Sequence, residues 1–410
     1  MNKYDVIIVG AGAAGMMAAI TAATNGKDVL LLEKLSKIGS KLKATGGGRC
    51  NLTNTLSNDE FMSHFGHEGR FMTPALNTLD HKGLQSFFRT IGVETHAPDG
   101  FRVFPIGHNA KSIIEGLQKE MQRLCVTIMC EQQVIALEYD ESKITALKTN
   151  TDTFIAKNII IATGGMGYPS LGAEGDGYRL AKSVGHKVIE LYPAMMPLKT
   201  KENWGANCRA DTIAKVEMRV NIKKYKKLSA IGDLIFTKQG IRGPVVLDFS
   251  REITPLLSKF NEVPILINMT KGMNEEQIRN HFKSELKREA SHTTLSLIET
   301  ILPSSVAIEL CKLTHADPNL TLKNLSGIIR DNLIRILANT PLTINGHNGF
   351  KMAMITRGGI SLKEIDPNTM QSKKMAGLYF CGEVMNLDGP CGGYNLQWSF
   401  ASGYLAGELL

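Results

Sequence analysis

The chain has 410 residues, more than one hydrophobic core usually organises, so we expect two or three domains. Apolar residues make up 43% of the chain and charged residues 21%, a balance that excludes a disordered or fibrous protein. The formal net charge of +8 suits a nucleic-acid partner without requiring one, since many basic proteins bind none.

The cysteines and the first apolar segment indicate the cellular compartment of the protein. Seven cysteines, none of them in a CxxC pair, argue against a disulfide framework. Residues 6–23 are apolar but contain three glycines and follow Lys3 and Asp5, so a buried strand, turn and helix explains them better than a membrane span. We expect a cytoplasmic protein without a membrane partner, whose oligomeric state the sequence leaves open.

The first predicted elements form a βαβ unit. Residues 6–9 are a continuous apolar run, and a glycine-rich turn and an alanine-rich helix lead to a second run at residues 29–32. Apolar runs of this kind are typical of a parallel sheet covered on both faces. A helix is predicted at residues 111–123, and the apolar run at residues 158–162 is expected to join the same sheet.

The character of the chain changes after about Pro193. Residues 214–220 alternate as a half-exposed strand, and Gly240 and the pair Gly243 and Pro244 predict turns. This pattern indicates a smaller β domain.

Helical periodicity returns at Asn274, a residue typical of helix starts, and glycine-rich motifs return after about Gly346. We expect an α/β fold of three parts: a Rossmann-like domain made of both chain ends, a smaller inserted β domain and a small helical domain. The expected boundaries are residues 1–193 with 346–410 for the first, 194–272 with 335–345 for the second, and 273–334 for the third.

Positive charge is concentrated in residues 199–227, which hold nine lysines and arginines against three acidic residues. Such a segment could bind the phosphates of a nucleic acid. It could equally be a solvated strand surface, because it has few aromatic residues to stack on bases and no RNA-binding motif.

The strongest local motif is Gly10-x-Gly12-x-x-Gly15, between a predicted strand and a predicted helix, with Glu33 closing the second strand. The glycines permit the turn, the approach of a pyrophosphate and close helix packing, and the acidic residue can accept ribose hydroxyls. The alternative is a glycine-rich packing turn. The motif predicts an ADP-containing cofactor but does not separate NAD from FAD.

Segments far along the chain favour FAD. Residues 160–165 and residues 378–383 both read as strands ending in a glycine turn, and Glu383 could bind a ribitol hydroxyl. Residues 392–395 open a predicted helix that reaches about Leu409, and its first N–H groups could stabilise the negative charge of a reduced flavin. The alternative is a tightly packed terminal helix.

The sequence resembles the HI0933-like bacterial flavoproteins. The resemblance runs nearly end to end and is carried by residues 41–54 (KLKATGGGRCNLTN), 236–244 and 377–407. The resemblance implies a Rossmann-like FAD-binding domain of the GR2 type made of both chain ends, a β-barrel-like insert with a helical domain inserted into it, and a loop near the isoalloxazine. It also implies reduction of unsaturated substrates by NADPH or NADH, aminoacetone oxidation, or dihydrouridine formation in ribosomal RNA, whose phosphates residues 199–227 could bind. The residues expected at the cofactor are Gly10, Gly12, Ala13, Ala14, Gly15, Glu33, Lys34, Lys41, Gly46, Gly47, Gly48, Arg49, Cys50, Asn51, Val134, Ala162, Thr163, Gly164, Gly165, Gly382, Glu383, Gly392, Gly393, Tyr394, Asn395 and Leu396.

Four residues are candidates for chemistry. Cys50, or less favourably Cys391, could give a proton to a carbon that receives hydride, although a buried thiol more often only packs. Arg49 and Lys41 could hold an anionic substrate or a phosphate, although a loop arginine often only braces its neighbours. No His or Cys spacing fits a metal site, and no GxSxG motif indicates a hydrolase.

Three functions are compatible with these observations. The first is an enzyme in which NADPH or NADH reduces FAD and hydride passes to uridine in ribosomal RNA. The second uses a small unsaturated metabolite or an aminoketone as the substrate. The third is a non-catalytic flavoprotein that binds a partner through the basic segment. A relationship to succinate dehydrogenase and fumarate reductase flavoproteins accounts for the N-terminal pattern only.

Overall fold

The computed structural model describes residues 2–409, which form two compact units. One unit consists of the two chain ends, up to Pro193 and from Ala353, and the other is Ala194–Met352. The expected fold class is confirmed: a Rossmann-type domain and a closed barrel are both present. None of the helices within residues 2–409 combines the length and the apolar character of a membrane span.

The first unit is built on a seven-stranded sheet in the order β6-β2-β1-β9-β8-β7, with β18 also paired to β9. The prediction that residues 158–162 join the same sheet as the first strand is confirmed, because Ile7 to Val9 pair in parallel with Ile159 to Ile161. The strands of this unit are β1 (Asn2–Val9), β2 (Val29–Leu32), β3 (Thr53–Asn54), β4 (Thr95–His96), β5 (Arg102–Pro105), β6 (Thr127–Met129), β7 (Val134–Asp140), β8 (Lys143–Thr149), β9 (Thr153–Ile161), β10 (Val188–Ala194), β17 (Ile355–Ile360) and β18 (Leu378–Phe380).

Helices cover this sheet, and the last of them packs on the first. They are α1 (Ala13–Thr24), α2 (Ser40–Ala44), α3 (Asn58–Ser63), α4 (Thr73–Thr78), α5 (His81–Thr90), α6 (Ala110–Arg123), α7 (Asp176–Ser183) and α13 (Tyr394–Glu408). A Cβ on Gly403 would lie 2.3 Å from the Ala14 carbonyl oxygen, and one on Gly407 would lie 2.6 Å from that of Ala18. The glycines of α13 therefore let its backbone approach α1, which brings both chain ends into one domain.

The second unit contains a closed barrel in the order β11-β14-β13-β12-β15-β16. Its helical part begins at Asn274, whose side chain and that of Gln277 form a reciprocal capping box with two bonds of 2.9 Å. The elements are β11 (Leu198–Thr200), β12 (Thr212–Val220), β13 (Ser229–Thr237), β14 (Gly240–Arg242), α8 (Pro244–Phe260), β15 (Val263–Asn268), α9 (Glu275–Arg288), α10 (Thr294–Glu299), α11 (Ser304–Thr314), α12 (Gly327–Ala338) and β16 (Thr340–His347).

One segment of this unit differs from the sequence prediction. The sequence predicts a turn at Gly243 and Pro244, but Pro244 is the first residue of the 17-residue helix α8. Proline suits the first helical position because its fixed φ is helical and its missing N–H has no partner there in any case. The predicted β domain is present as the closed barrel, and α8 is a helix of this unit that the sequence signals do not predict.

Candidate functional site

The carboxyl ends of β1, β2 and β9 border an open cleft in the first unit, with about 1200 Å³ of empty space including solvent at its mouth. Gly10 has a φ of +102°, and a Cβ on it would lie 2.7 Å from the Ala162 carbonyl oxygen. A Cβ on Gly15 would lie 1.9 Å from the carbonyl oxygen of Gly10, whereas one on Gly12 would meet nothing within 4 Å. The turn therefore leaves space for a pyrophosphate to approach the backbone at Gly12.

Helix α1 begins at this cleft. Its N-cap residue is Gly12, and within the described chain no side chain caps it and no acidic residue occupies its first turn. Ala13 and Ala14 line the cleft. The first N–H groups of the helix and its positive dipole end favour an anionic group at this position.

The Glu33 carboxylate is fixed at the end of β2. Its Oε2 accepts from the Ala11 N–H at 2.9 Å and its Oε1 accepts from the Leu35 N–H at 3.0 Å. An ionised carboxylate has about four acceptor positions. About two of these acceptor positions therefore remain for the hydroxyls of a ribose.

A second carboxylate, Glu383, follows β18 and pairs with Lys41 of α2. Its Oε2 accepts from Lys41 Nζ at 2.8 Å and its Oε1 accepts from the Thr356 N–H at 2.9 Å. The two side chains are only 24% and 17% exposed, so this is a partly buried ion pair and not a surface contact. Both residues line the cleft.

The segment that follows β9 also lines the cleft. Ala162, Thr163 and Gly164 face it. The Thr163 hydroxyl is buried without a hydrogen-bond partner within residues 2–409, and a Cβ on Gly177 would lie 2.2 Å from its oxygen. Gly165 does not line the cleft, but a Cβ on it would lie 2.7 Å from Glu383 Oε1.

The Gly46–Gly48 run forms a tight turn in which all three residues have positive φ, at 57°, 66° and 89°. Cys50 follows with a φ of 59° and has no exposed surface. Burial raises the pKa of its thiol to about 12, against the opposing effect of a hydrogen bond with Thr45. Full burial supports the packing interpretation of Cys50.

The Arg49 side chain is exposed and braces this turn. Its Nε donates to the Gly46 carbonyl oxygen at 3.1 Å, and its guanidinium carbon lies 5.7 Å from the centroid of the Phe104 ring. The guanidinium keeps other donors for a ligand.

The loop after Cys50 is tied to the start of α13. Asn54 Nδ2 donates to the Gly392 carbonyl oxygen at 2.9 Å. The Asn51 side-chain oxygen accepts from the Gly393 N–H at 3.1 Å in the amide orientation that satisfies its neighbours. A Cβ on Gly393 would lie 2.5 Å from the Thr53 backbone. The two glycine-rich segments therefore meet although more than 300 residues separate them.

Helix α13 begins at the cleft with Asn395 and Leu396 among its lining residues. The Asn395 side chain closes the preceding loop, because its Oδ1 accepts from the Gly389 N–H at 2.8 Å and its Nδ2 donates to the Gly389 carbonyl oxygen at 2.9 Å. Tyr394 points elsewhere: it is buried, and its ring centroid lies 4.9 Å from that of Phe61.

Lys34 belongs to an ion-pair cluster at the cleft that the sequence does not reveal. Its Nζ donates to Glu174 at 2.6 Å and to Asp176 at 2.7 Å. Burial opposes the charged form of Lys34, but the hydrogen bonds to the two carboxylates outweigh it and raise its pKa. Asp176 and the neighbouring Gln132 and Gln133 line the cleft without belonging to any recognisable motif.

The expected cofactor residues thus divide into two groups. Those that line the cleft are Gly10, Gly12, Ala13, Ala14, Glu33, Lys34, Lys41, Val134, Ala162, Thr163, Gly164, Gly382, Glu383, Asn395 and Leu396. Those that do not are Gly15, Gly46, Gly47, Gly48, Arg49, Cys50, Asn51, Gly165, Gly392, Gly393 and Tyr394. Lining residues missed from sequence include Ser40, Thr45, Leu171, Gly172, Ala173, Met354, Ile355 and Ser399.

No cluster of metal-ligating side chains is found in the described part of the chain, and all seven cysteines are free thiols. The uncapped start of α1, the open space at Gly12 and the two carboxylates at Glu33 and Glu383 fit the phosphates and hydroxyls of FAD. This fold and cleft define an FAD-dependent oxidoreductase with a Rossmann-type domain.

The family described as HI0933-like protein Rossmann domain matches residues 4–409, and the chain belongs to this family. The chain is 33% identical to the 3-dehydro-bile acid delta(4,6)-reductase of Clostridium scindens, covering 100% of this chain and 98% of that one. It is 30% identical to the ribosomal RNA dihydrouridine synthase of Haemophilus influenzae, covering 98% of each.

A similar fold occurs in the solved structure of 3-ketosteroid-delta4-(5alpha)-dehydrogenase from Rhodococcus jostii in complex with 4-androstene-3,17-dione. The TM-score is 0.52 and the identity 16%, over 99% of this chain and 96% of that one. At this identity the likeness concerns the fold alone.

Proposed function

We propose that the protein uses NADPH or NADH to reduce a carbon–carbon double bond, and that its acceptor is a uridine in ribosomal RNA. The observation that carries the choice of acceptor is the distribution of charge. Residues 194–352 hold 23 lysines and arginines against 15 acidic residues, which is the whole excess of +8. The phosphates of RNA would bind to a domain with this excess of positive charge.

The chemistry divides between the cofactor and the chain. When bound, FAD supplies hydride transfer through its N5 atom. The lining residues of the first unit would hold its phosphates and hydroxyls, and Lys41 would keep Glu383 oriented. Arg49, exposed beside the Gly46–Gly48 turn, would bind an anionic group of the substrate.

Reduction of a double bond also requires a proton on the second carbon. Cys50 is protonated at neutral pH, since its pKa is raised to about 12, but it has no exposed surface from which to donate. Cys391 is partly exposed. We therefore propose a packing role for Cys50 and leave proton donation to Cys391 or to solvent.

The nicotinamide would bind only transiently. The sequence contains no second GxGxxG unit of the kind found at Gly10. Reduction by NADPH or NADH would therefore take place over the flavin itself, before the acceptor enters.

The names of the relatives support reduction and leave two acceptors to compare. One relative is named a ribosomal RNA dihydrouridine synthase and another a bile acid reductase, and their identities to this chain are similar. The second name favours a small-molecule alternative, in which this chain reduces an unsaturated ring ketone.

The deciding experiment is anaerobic. Purified holoprotein is mixed with NADPH or NADH, and flavin bleaching is followed by absorbance. Unmodified ribosomal RNA is then added, digested to nucleosides and analysed by mass spectrometry for dihydrouridine, with a reaction lacking nicotinamide as the control. Bleaching and nicotinamide-dependent dihydrouridine support the proposal. Reduction of a 3-dehydro-bile acid with unchanged RNA would overturn the RNA proposal in favour of the small-molecule function. If neither NADPH nor NADH bleaches the flavin, the nicotinamide is not the electron donor.

A further inference from the structure

The second unit carries an exposed cluster of lysines around two aromatic rings, here called the lysine–aromatic surface. It consists of the turn between β12 and β13 and the last residues of α8: Lys223, Lys224, Tyr225, Lys226, Lys227, Lys259 and Phe260.

The turn presents its lysines to solvent because of its apolar spacing. Ile222, Tyr225 and Leu228 pack against the core of the barrel unit, and the four lysines between them are exposed. The Tyr225 N–H donates to the Ile222 carbonyl oxygen at 2.8 Å, and the Leu228 N–H donates to that of Tyr225 at 2.9 Å. The backbone of the turn is therefore ordered, and its four lysines project into solvent from defined Cα positions.

Helix α8 adds a cation and a ring that are distant in sequence. Lys259 Nζ lies 5.9 Å from the Tyr225 ring centroid and 5.2 Å from that of Phe260, and it donates to the Tyr225 hydroxyl at 3.3 Å. The two ring centroids are 6.0 Å apart at an interplanar angle of 73°. Lys259 therefore lies beside both rings, and Phe260 is 39% exposed.

The positive charge of this surface is not neutralised by the protein. Within residues 2–409 none of the five lysines of the surface forms an ion pair with a carboxylate. The nearby Glu262 is already paired with Lys201 at 3.0 Å. An exposed ring among unpaired lysines is the combination that binds single-stranded nucleic acid, in which bases stack on aromatic side chains and phosphates meet cations.

We propose that the lysine–aromatic surface binds an unpaired segment of RNA, with a base stacked on Phe260 and phosphates on the lysines of the turn. This inference deepens the proposed function and rests on it. Unpaired RNA is favoured over a duplex because a base must leave its helical stack to reach the ring.

The test uses the holoprotein and a fluorescently labelled unpaired RNA of about 12 nucleotides, with affinity measured by anisotropy. Phe260→Ala should weaken binding about 5- to 150-fold, because it removes the ring on which a base would stack. Phe260→Trp should retain affinity, while Phe260→Leu, which keeps an apolar side chain without a π face, should behave as Phe260→Ala does. Flavin absorbance and circular dichroism show that each variant is folded.

The lysines are tested by salt dependence. The double variant K226Q/K227Q should lower the slope of log affinity against log salt by roughly 0.7 for each lysine that contacts a phosphate. The matched control K283Q/K287Q removes two exposed charges from α9 in the same unit and should leave the slope nearly unchanged.

The two proposals fail separately. Dihydrouridine formation by the wild-type protein tests the proposed function and does not depend on any variant. If Phe260→Ala and K226Q/K227Q have the same RNA affinity and salt slope as the wild type, the lysine–aromatic surface does not bind RNA. The proposed function would be unaffected by that result. Equal or tighter binding of a duplex of the same length would overturn the stacking of an unpaired base.

Discussion

Lys41 donates to Glu383 Oε2 at 2.8 Å, which joins α2 to the segment after β18 across 342 positions of sequence. The backbone N–H of Thr356 completes the site by donating to the other carboxylate oxygen at 2.9 Å. The pair holds the two chain ends together at the cleft and gives the carboxylate a fixed orientation toward it.

Removal of Lys41 should weaken FAD binding. In Lys41→Met the partly buried Glu383 loses a charge-assisted hydrogen bond, a loss of about 1.5–3 kcal/mol. We expect the FAD dissociation constant to rise by roughly tenfold or more, measured by fluorescence titration of the deflavinated protein. Lys43→Met is the matched control, because Lys43 lies on the same helix with an exposed side chain. Equal affinities in the two variants would contradict the role of the pair.

Two glycines of the first turn should respond differently to alanine. Gly15→Ala would place its Cβ 1.9 Å from the Gly10 carbonyl oxygen, so it should lower the stability of the deflavinated protein by about 1–3 kcal/mol. Gly12→Ala meets no protein atom within 4 Å, so the deflavinated protein should keep its melting temperature but bind FAD more weakly. Thermal melts with and without FAD measure both effects. A Gly12→Ala protein that binds FAD normally would show that the pyrophosphate does not approach this position.

Cys50 should be chemically silent in the folded protein. Its full burial and raised pKa predict that a thiol reagent at neutral pH modifies the exposed Cys125 and leaves Cys50 unmodified until the protein unfolds. Peptide mass spectrometry after timed alkylation measures the order. Cys50→Ser should bind FAD and turn over within a few-fold of the wild type, whereas a loss of about a hundredfold or more would restore its role as proton donor.

His186 should make the stability of the first unit dependent on pH. Its Nδ1 lies 3.1 Å from Glu364 Oε2 and its Nε2 lies 2.7 Å from Ser372 Oγ. Burial lowers the pKa of His186, against the opposing effect of Glu364. The pKa of a histidine in the unfolded chain is about 6.5. As the pH falls below that value, His186 therefore binds fewer protons in the folded state than in the unfolded state. The His186 contribution is thus complete above about pH 6.5 and declines as the pH falls through that value toward the folded pKa.

This dependence is measured by melting temperature between pH 8 and pH 5. Replacing the histidine by His186→Gln should lower stability at pH 8 and flatten the decline toward pH 5, since the titrating group is gone. His67→Gln, at an exposed histidine of the same unit, is the control. A decline as steep in His186→Gln as in the wild type would assign the pH dependence to other groups.

Much of the first unit could be predicted because its signals are local. The turn at Gly10, Gly12 and Gly15 needs glycine for reasons of backbone geometry, and the apolar strands beside it have few alternatives to burial. The helix start at Asn274 is similarly encoded by a capping box of four residues. Pro244 shows the limit of such signals, since the same residue type suits a turn and a first helical turn, and only the packing of α8 on the barrel unit decides between them.

The sequence by itself determined the family resemblance, the fold class, the dinucleotide turn and the concentration of positive charge. Only the tertiary structure decided that Lys41 pairs with Glu383, that Lys34 meets Asp176, that Cys50 has no surface and that Phe260 stands beside Tyr225. The physical reason is that local backbone preferences act over a few residues, whereas ion pairs, burial and ring contacts depend on which distant segments the core brings together. Sequence spacing contains no direct record of those distances.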